Sequence, residues 1–133
     1  MAAKKPPSLK PLADRLQSKP DTKWYVPSGT PRSVTLDGMR VHARRPQRID
    51  ALLVFVKNQE SLEVHFAKAE PRLVDDALVW FSYPKGGLSD LTRDEGWDCL
   101  EAAGLRPVTA ISINETWSAL RFRPRPASAK GRA

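Results

Sequence analysis

The sequence predicts an α/β domain with a mostly parallel sheet and an antiparallel hairpin at its C-terminal end. Residues 49–56 and 77–83 are almost continuously apolar and too short for helices, the pattern of strands covered on both faces. Between them Leu62, Phe66, Ala69 and Leu73 recur at helical spacing, with Glu60, Glu63 and Lys68 turned outward. That unit reads strand, helix, strand. The hairpin is read from residues 107–113 and 116–123, which flank the tight turn Asn114-Glu115.

The remaining elements follow in order. Ser8 caps a short helix with Leu9, Leu12 and Leu16 on one face and Pro11 in its first turn. Residues 23–26 form a first strand closed by Pro27, and residues 39–43 a second. Gly29, Pro31, Val34 and Thr35 disfavour a helix between them, so an irregular crossover is expected. Asn58 caps the central helix, Pro71 ends it, and Asp75-Asp76 mark a turn into the next strand. Thr92 and Glu95 have the spacing of a capping box, which starts a last helix with Trp97 and Leu100 inward and Gly104 as its left-handed stop. In the return strand Trp117, Ala119, Arg121 and Arg123 share one face, and the two arginines are expected to flank an exposed edge.

A length of 133 residues suits one domain, assigned to residues 8–123, with basic disordered tails at 1–7 and 124–133. The formal charge of +7 sits at the ends. Residues before Pro20 carry a net +4 and those after Leu120 a net +5, which leaves −2 for the middle. Such tails are solvated ends that can also hold nucleic acid weakly, through phosphate contacts alone. The single cysteine, Cys99, excludes an internal disulfide and fits a reducing cytoplasm. No apolar run approaches the roughly 20 residues of a membrane span, and residues 1–10 lack the apolar core of a secretory signal. A cytoplasmic protein away from membranes is expected.

A resemblance extends this reading. The segments Leu78-Val79-Trp80-Phe81-Ser82-Tyr83-Pro84-Lys85, Asp90-Leu91-Thr92, Gly104-Leu105, Pro107-Val108 and Glu115-Thr116-Trp117-Ser118-Ala119-Leu120 resemble a bacterial family, domain of unknown function 3052. Its members look like small, degenerate relatives of class I methyltransferases. The chain departs from the family at Gly86, where relatives carry a second lysine, and at Asn114, where they carry Asp. The resemblance implies a Rossmann-like, methyltransferase-like sheet and brings no catalytic residues with it. A cofactor site on such a sheet wants a glycine-rich turn feeding a helix after the first strand, and an acid ending the second. Here Pro27-Ser28-Gly29-Thr30 stands at the first place and Ala43-Arg44-Arg45 at the second, so no cofactor is expected.

Two constellations remain as candidate sites. Lys85, Gly86 and Gly87 follow a central strand at the sheet's carboxyl end, where α/β sheets place ligands, and Ser28, Asn58 and Asp90 are expected at the same rim. Lys85 there reads either as an anion contact or as a solvated residue of a flexible connection. Arg40, Arg44 and Arg45, with His42 and Arg48 nearby, form the basic patch within the domain; it reads as a phosphate site or as a solvated face. His42 and His65 lack partners at metal-ligand spacing, and no catalytic residues are assigned. Three functions follow, in order of preference. The first is a non-catalytic domain that binds a protein partner. The second is a small-molecule or nucleotide-binding enzyme using the Lys85 loop. The third is a weak nucleic-acid binder acting through its tails.

Overall fold

Strands β3 (Ile49–Phe55) and β4 (Leu73–Pro84) run parallel, side by side, with Leu52 beside Val79 and Leu53 beside Trp80. The computed structural model describes residues 12–19, 21–27, 30–32, 34, 36, 39–42, 44, 46–85, 90–92 and 95–124, without the side chains of positions 75, 76 and 124. The other strands are β1 (Lys23–Tyr25), β2 (Arg40–His42), β5 (Leu105–Ser112) and β6 (Trp117–Pro124). They form one six-stranded sheet in the order β2-β1-β3-β4-β6-β5. The first four are parallel, and β6 runs antiparallel to both of its neighbours, β4 and β5. A mostly parallel α/β sheet closed by an antiparallel hairpin is therefore the architecture.

Every β3 residue except Asp50 is buried, because both faces of the sheet are covered. Over the first face lie α2 (Gln59–Ala69), which contributes Leu62, Phe66 and Ala69, and α3 (Asp98–Ala102), which contributes Leu100. They meet Leu52, Val54, Val79, Phe81, Leu120 and Phe122. Phe81, Trp97 and Phe122 form a triangle of rings with centroids 5.2–6.4 Å apart, joined by Phe66 and Tyr83. Tilted and edge-on pairs of this kind each add about 0.5–1.5 kcal/mol beyond their burial.

Among the described residues, the second face is closed by short segments. The short helix α1 (Leu12–Arg15) and the turn after it put Leu16 against Trp24, Leu53 and Trp80, while Val34 packs in from the β1–β2 connection. Two indoles hold this cover down. Trp80 Nε1 donates to the Leu16 carbonyl at 3.1 Å, and Trp24 Nε1 donates to Ser18 Oγ at 2.9 Å. The turn itself bonds Ser18 N–H to the Ala13 carbonyl and Gln17 N–H to the Asp14 carbonyl. Those are the two bonds of a Schellman stop, with Gln17 at φ 66° where glycine is usual. The Gln17 side chain accepts a hydrogen bond from Arg121, and Arg15 donates to the Ser112 carbonyl.

Four expectations are corrected. Asp75 and Asp76 lie within β4 and not in a turn before it, because the turn at Glu70–Arg72 feeds the strand directly and the register then shifts. Leu73 accordingly opens β4 and does not belong to the helix. Thr92 and Glu95 do close on each other, Glu95 N–H to Thr92 Oγ1 at 3.1 Å, yet the helix starts only at Asp98. Gly96 intervenes at φ 100°, and a Cβ there would sit 2.7 Å from Leu91 and 2.9 Å from the Asp90 carbonyl, so the chain must turn away before it can coil. Finally, Arg121 and Arg123 do not flank an edge, because β6 is inserted between β4 and β5 and leaves β5 outermost. Ser8 and Leu9 of the first helix, and both tails except Pro124, fall outside the described residues.

If the Trp80 indole holds the N-terminal cover, Trp80→Phe keeps most of the apolar ring and strands the Leu16 carbonyl. Urea unfolding should show a loss of about 1–3 kcal/mol, with faster amide exchange at residues 16–18 than elsewhere. Unchanged exchange at those amides would contradict the role given to this bond.

Candidate functional site

Of the residues expected at the carboxyl rim, Asn58, Lys85 and Asp90 are described, while Ser28, Gly86 and Gly87 lie outside the described residues. The chain uses all three for its own structure. Asn58 caps α2: its side chain accepts from Ser61 N–H at 2.9 Å, and Ser61 Oγ accepts from the Asn58 N–H at 3.2 Å. Asp90 Oδ1 accepts from Gln59 N–H at 2.8 Å, and the Gln59 side chain donates back to the Asp90 carbonyl at 3.1 Å. A carboxylate therefore already occupies the N-terminus of α2, where the free N–H groups and the helix dipole favour an anion. Lys85 leans the other way and donates from Nζ to Ser112 Oγ at 2.6 Å, while its backbone N–H bonds the Thr116 carbonyl at 2.8 Å. The structure thus brings Asn58 and Asp90 to one helix end and assigns Lys85 to the hairpin.

The basic patch is built differently. Arg40, His42 and Arg44 are exposed, and Arg45 lies outside the described residues. The parallel register puts Lys23 beside Arg40 and Tyr25 beside His42. Alternation along β1 then places Lys23 and Tyr25 on the same face, about 4.8 Å from their neighbours. Tyr25 belongs to the core under the first face. Beyond it, toward β2, opens a cavity of about 270 Å³ lined by Lys23, Tyr25, His42, Arg44, Arg48 and Pro46, with Ile49, Asp50 and Ala51 completing it. Its floor is apolar, since Tyr25 and Ile49 are buried, and its rim carries the exposed cations Lys23, Arg44 and Arg48 with, among the described side chains, the carboxylate of Asp50. Arg72 ties the loop wall to the fold by donating to the Pro46 carbonyl at 3.1 Å.

Lys23 and Asp50 also border a second, polar cavity of about 480 Å³ at the amino ends of β1 and β3, shared with Gln17, Lys19, Asp21, Thr22, Leu78 and Arg121. Arg121 Nε is buried there, with no hydrogen-bond partner among the described residues. Burial first, and the neighbouring Arg123 second, hold its pKa below the ordinary guanidinium value.

No family model matches the sequence, and no curated protein matches it. Solved structures do match. The crystal structure of a ribosomal protein L11 methylase from Lactobacillus delbrueckii subsp. bulgaricus superposes with a TM-score of 0.55 at 13% identity, over 85% of this chain and 74% of that one. The chain has a methyltransferase-like fold. Two looser likenesses are LepI in complex with SAM, at a TM-score of 0.48, 13% identity, 86% of this chain and 39% of that one, and the DhpI–SAH complex, at 0.43, 14%, 68% and 57%.

Several other side chains have plain structural roles. Cys99 lies on α3 against the first core, and burial, helped by Glu63, pushes its thiol up from the ordinary value. His65 on α2 is pushed down by burial and then by Lys68. Trp117 is buried, edge-on to Phe55 at 5.4 Å, and belongs to the second core. Among the described residues, no group of three or more His, Cys, Asp or Glu side chains is placed to hold a metal ion, and no helix is long and apolar enough to cross a membrane. The sequence reading missed Lys23, Tyr25, Pro46 and Asp50 as cavity residues. Alternation within residues 23–25 was a usable signal, but only the pairing of β1 with β2 reveals it.

Asp90 tests the account of the carboxyl rim. Asp90→Ala should lower stability by about 1 kcal/mol, as loss of a helix-terminal acceptor does. Chemical denaturation measures this, and an equal loss in Asp90→Asn would show that hydrogen bonding there contributes nothing apart from charge.

Proposed function

We propose that this chain is a non-catalytic member of the methyltransferase-like fold that acts by binding a protein partner in the cytoplasm. One observation carries the reading: the connection from β1 to β2 is spent on packing. None of its described residues is helical. Val34 is buried in the second core, and Leu36 and Met39 pack against it. Short backbone bonds, Val34 N–H to the Pro31 carbonyl and Met39 N–H to the Leu36 carbonyl, fold the segment onto the sheet. A cofactor-binding sheet uses this connection to present a helix N-terminus to its ligand. Here its apolar side chains do what a crossover helix would do for the core.

The engaged state of the carboxyl rim supports the same reading. Asn58, Asp90 and Lys85 all spend their polar groups within the fold. At the end of β2, where a ribose-binding acid would stand, the chain offers Arg44. The motif resemblance of residues 78–92 and 104–120 to a family of degenerate methyltransferase relatives agrees with a framework kept for purposes other than methyl transfer.

Calorimetric titration of the full chain with S-adenosylmethionine is the direct test. The expected outcome is no measurable heat at millimolar ligand. Saturable binding in the micromolar range would end the non-catalytic reading.

A further inference from the structure

We propose that the cavity between β1, β2 and the loop into β3 is a binding site for a small organic anion, one that joins a phosphate or carboxylate to a flat apolar group. The inference stands on the first face of the sheet and goes beyond the proposed partner-binding role, on which it does not depend.

The cavity has two kinds of wall, and each selects part of the ligand. Its floor is Tyr25 and Ile49, both buried in the first core, with Pro46 beside them. Water over such a floor is readily displaced by an apolar group. The register that sets Tyr25 beside His42 lays two ring side chains along one side, an arrangement that suits stacking of a planar group. The rim is the second wall. Lys23 reaches it from β1, Arg44 and Arg48 from the loop, and among the described side chains that line it Asp50 is the carboxylate that opposes them. Cations gathered this way repel one another, and a bound anion relieves that repulsion while accepting paired N–H donors from guanidinium.

Size and stiffness narrow the ligand further. A volume of about 270 Å³ lies at the lower end of small-molecule pockets, so a monocyclic phosphate fits and a dinucleotide does not. The wall that carries Arg44 and Arg48 is not loose, because Arg72 fastens its Pro46 carbonyl to the turn after α2. Part of the ordering cost of binding is therefore met before the ligand arrives. An apolar floor also separates this site from a purely electrostatic patch, which would need only the cations.

Phenyl phosphate is the probe, with inorganic phosphate and phenol as its two halves, followed by calorimetry and by amide and side-chain NMR on the full chain. Phenyl phosphate should bind with shifts centred on Tyr25, His42 and Ile49, at least roughly tenfold more tightly than inorganic phosphate, and more weakly as salt rises. The double variant Arg44→Ala/Arg48→Ala should lose roughly tenfold or more in affinity. Both arginines are exposed, so circular dichroism should find its fold intact. Arg106→Ala, an exposed arginine on β5, removes charge elsewhere and should leave binding unchanged. Three results would overturn the site: no binding of phenyl phosphate at millimolar concentration, inorganic phosphate binding as tightly, or equal losses in the Arg44/Arg48 and Arg106 variants. A single-stranded oligonucleotide that displaces phenyl phosphate and binds more tightly would also overturn it, by giving the patch to nucleic acid. The titration with S-adenosylmethionine probes a different ligand, so the two readings fail separately.

Discussion

The bond from the buried Trp80 indole to the Leu16 carbonyl joins residues 64 positions apart and holds the second half of the core together. A parallel sheet must be covered on both faces, or its central strands expose the apolar runs that define them. On the first face two helices meet that requirement. On the second, the cover among the described residues is one helical turn and an irregular connection, neither of which would be stable alone. Trp80 and Trp24 supply what helix length does not: two large buried rings, each with one N–H that must find an acceptor. The acceptors they find belong to the turn that ends α1. Their satisfaction and the closing of the second face are the same event.

That economy has a consequence for binding. In this fold a crossover helix after the first strand would both pack the sheet and present its N-terminus to a ligand. Here the segment between β1 and β2 does the packing through Val34, Leu36 and Met39. At the far rim, Asp90 fills the anion site that α2 creates. Asn58, Asp90 and Lys85 at that rim are thus engaged within the fold. The first face beyond Tyr25 carries a cavity rimmed by cations. Its basic character arises within the domain, whose residues between Pro20 and Leu120 carry a net charge of −2, and not from the basic ends.

Much of this was legible in the order of residues. The buried strands read at residues 49–56 and 77–83, the cap at Asn58, the stop at Gly104 and the hairpin turn at Asn114-Glu115 are local signals, and the structure bears each of them out, with β3 ending at Phe55. The misreadings have a common cause. The capping pair Thr92 and Glu95 forms, but Gly96 is pressed against Leu91 and Asp90 and turns the chain before a helix can start. The alternation of Trp117, Ala119, Arg121 and Arg123 was right, yet alternation does not say whether a strand lies inside a sheet or at its edge.

The sequence by itself determined the class of fold, the buried strands and the ends of the central helix, because periodicity, capping and turn chemistry act over a few residues. Only the tertiary structure decided which strands are neighbours, and therefore which side chains meet. Lys23 and Tyr25 came to share a wall with His42 and Arg44 through the pairing of β1 with β2. Asp90 reached the N-terminus of α2 across 31 positions. Hydrogen bonds between strands and between distant loops are made by backbone groups that every residue carries, so the choice of partner leaves almost no mark on the residues that make it.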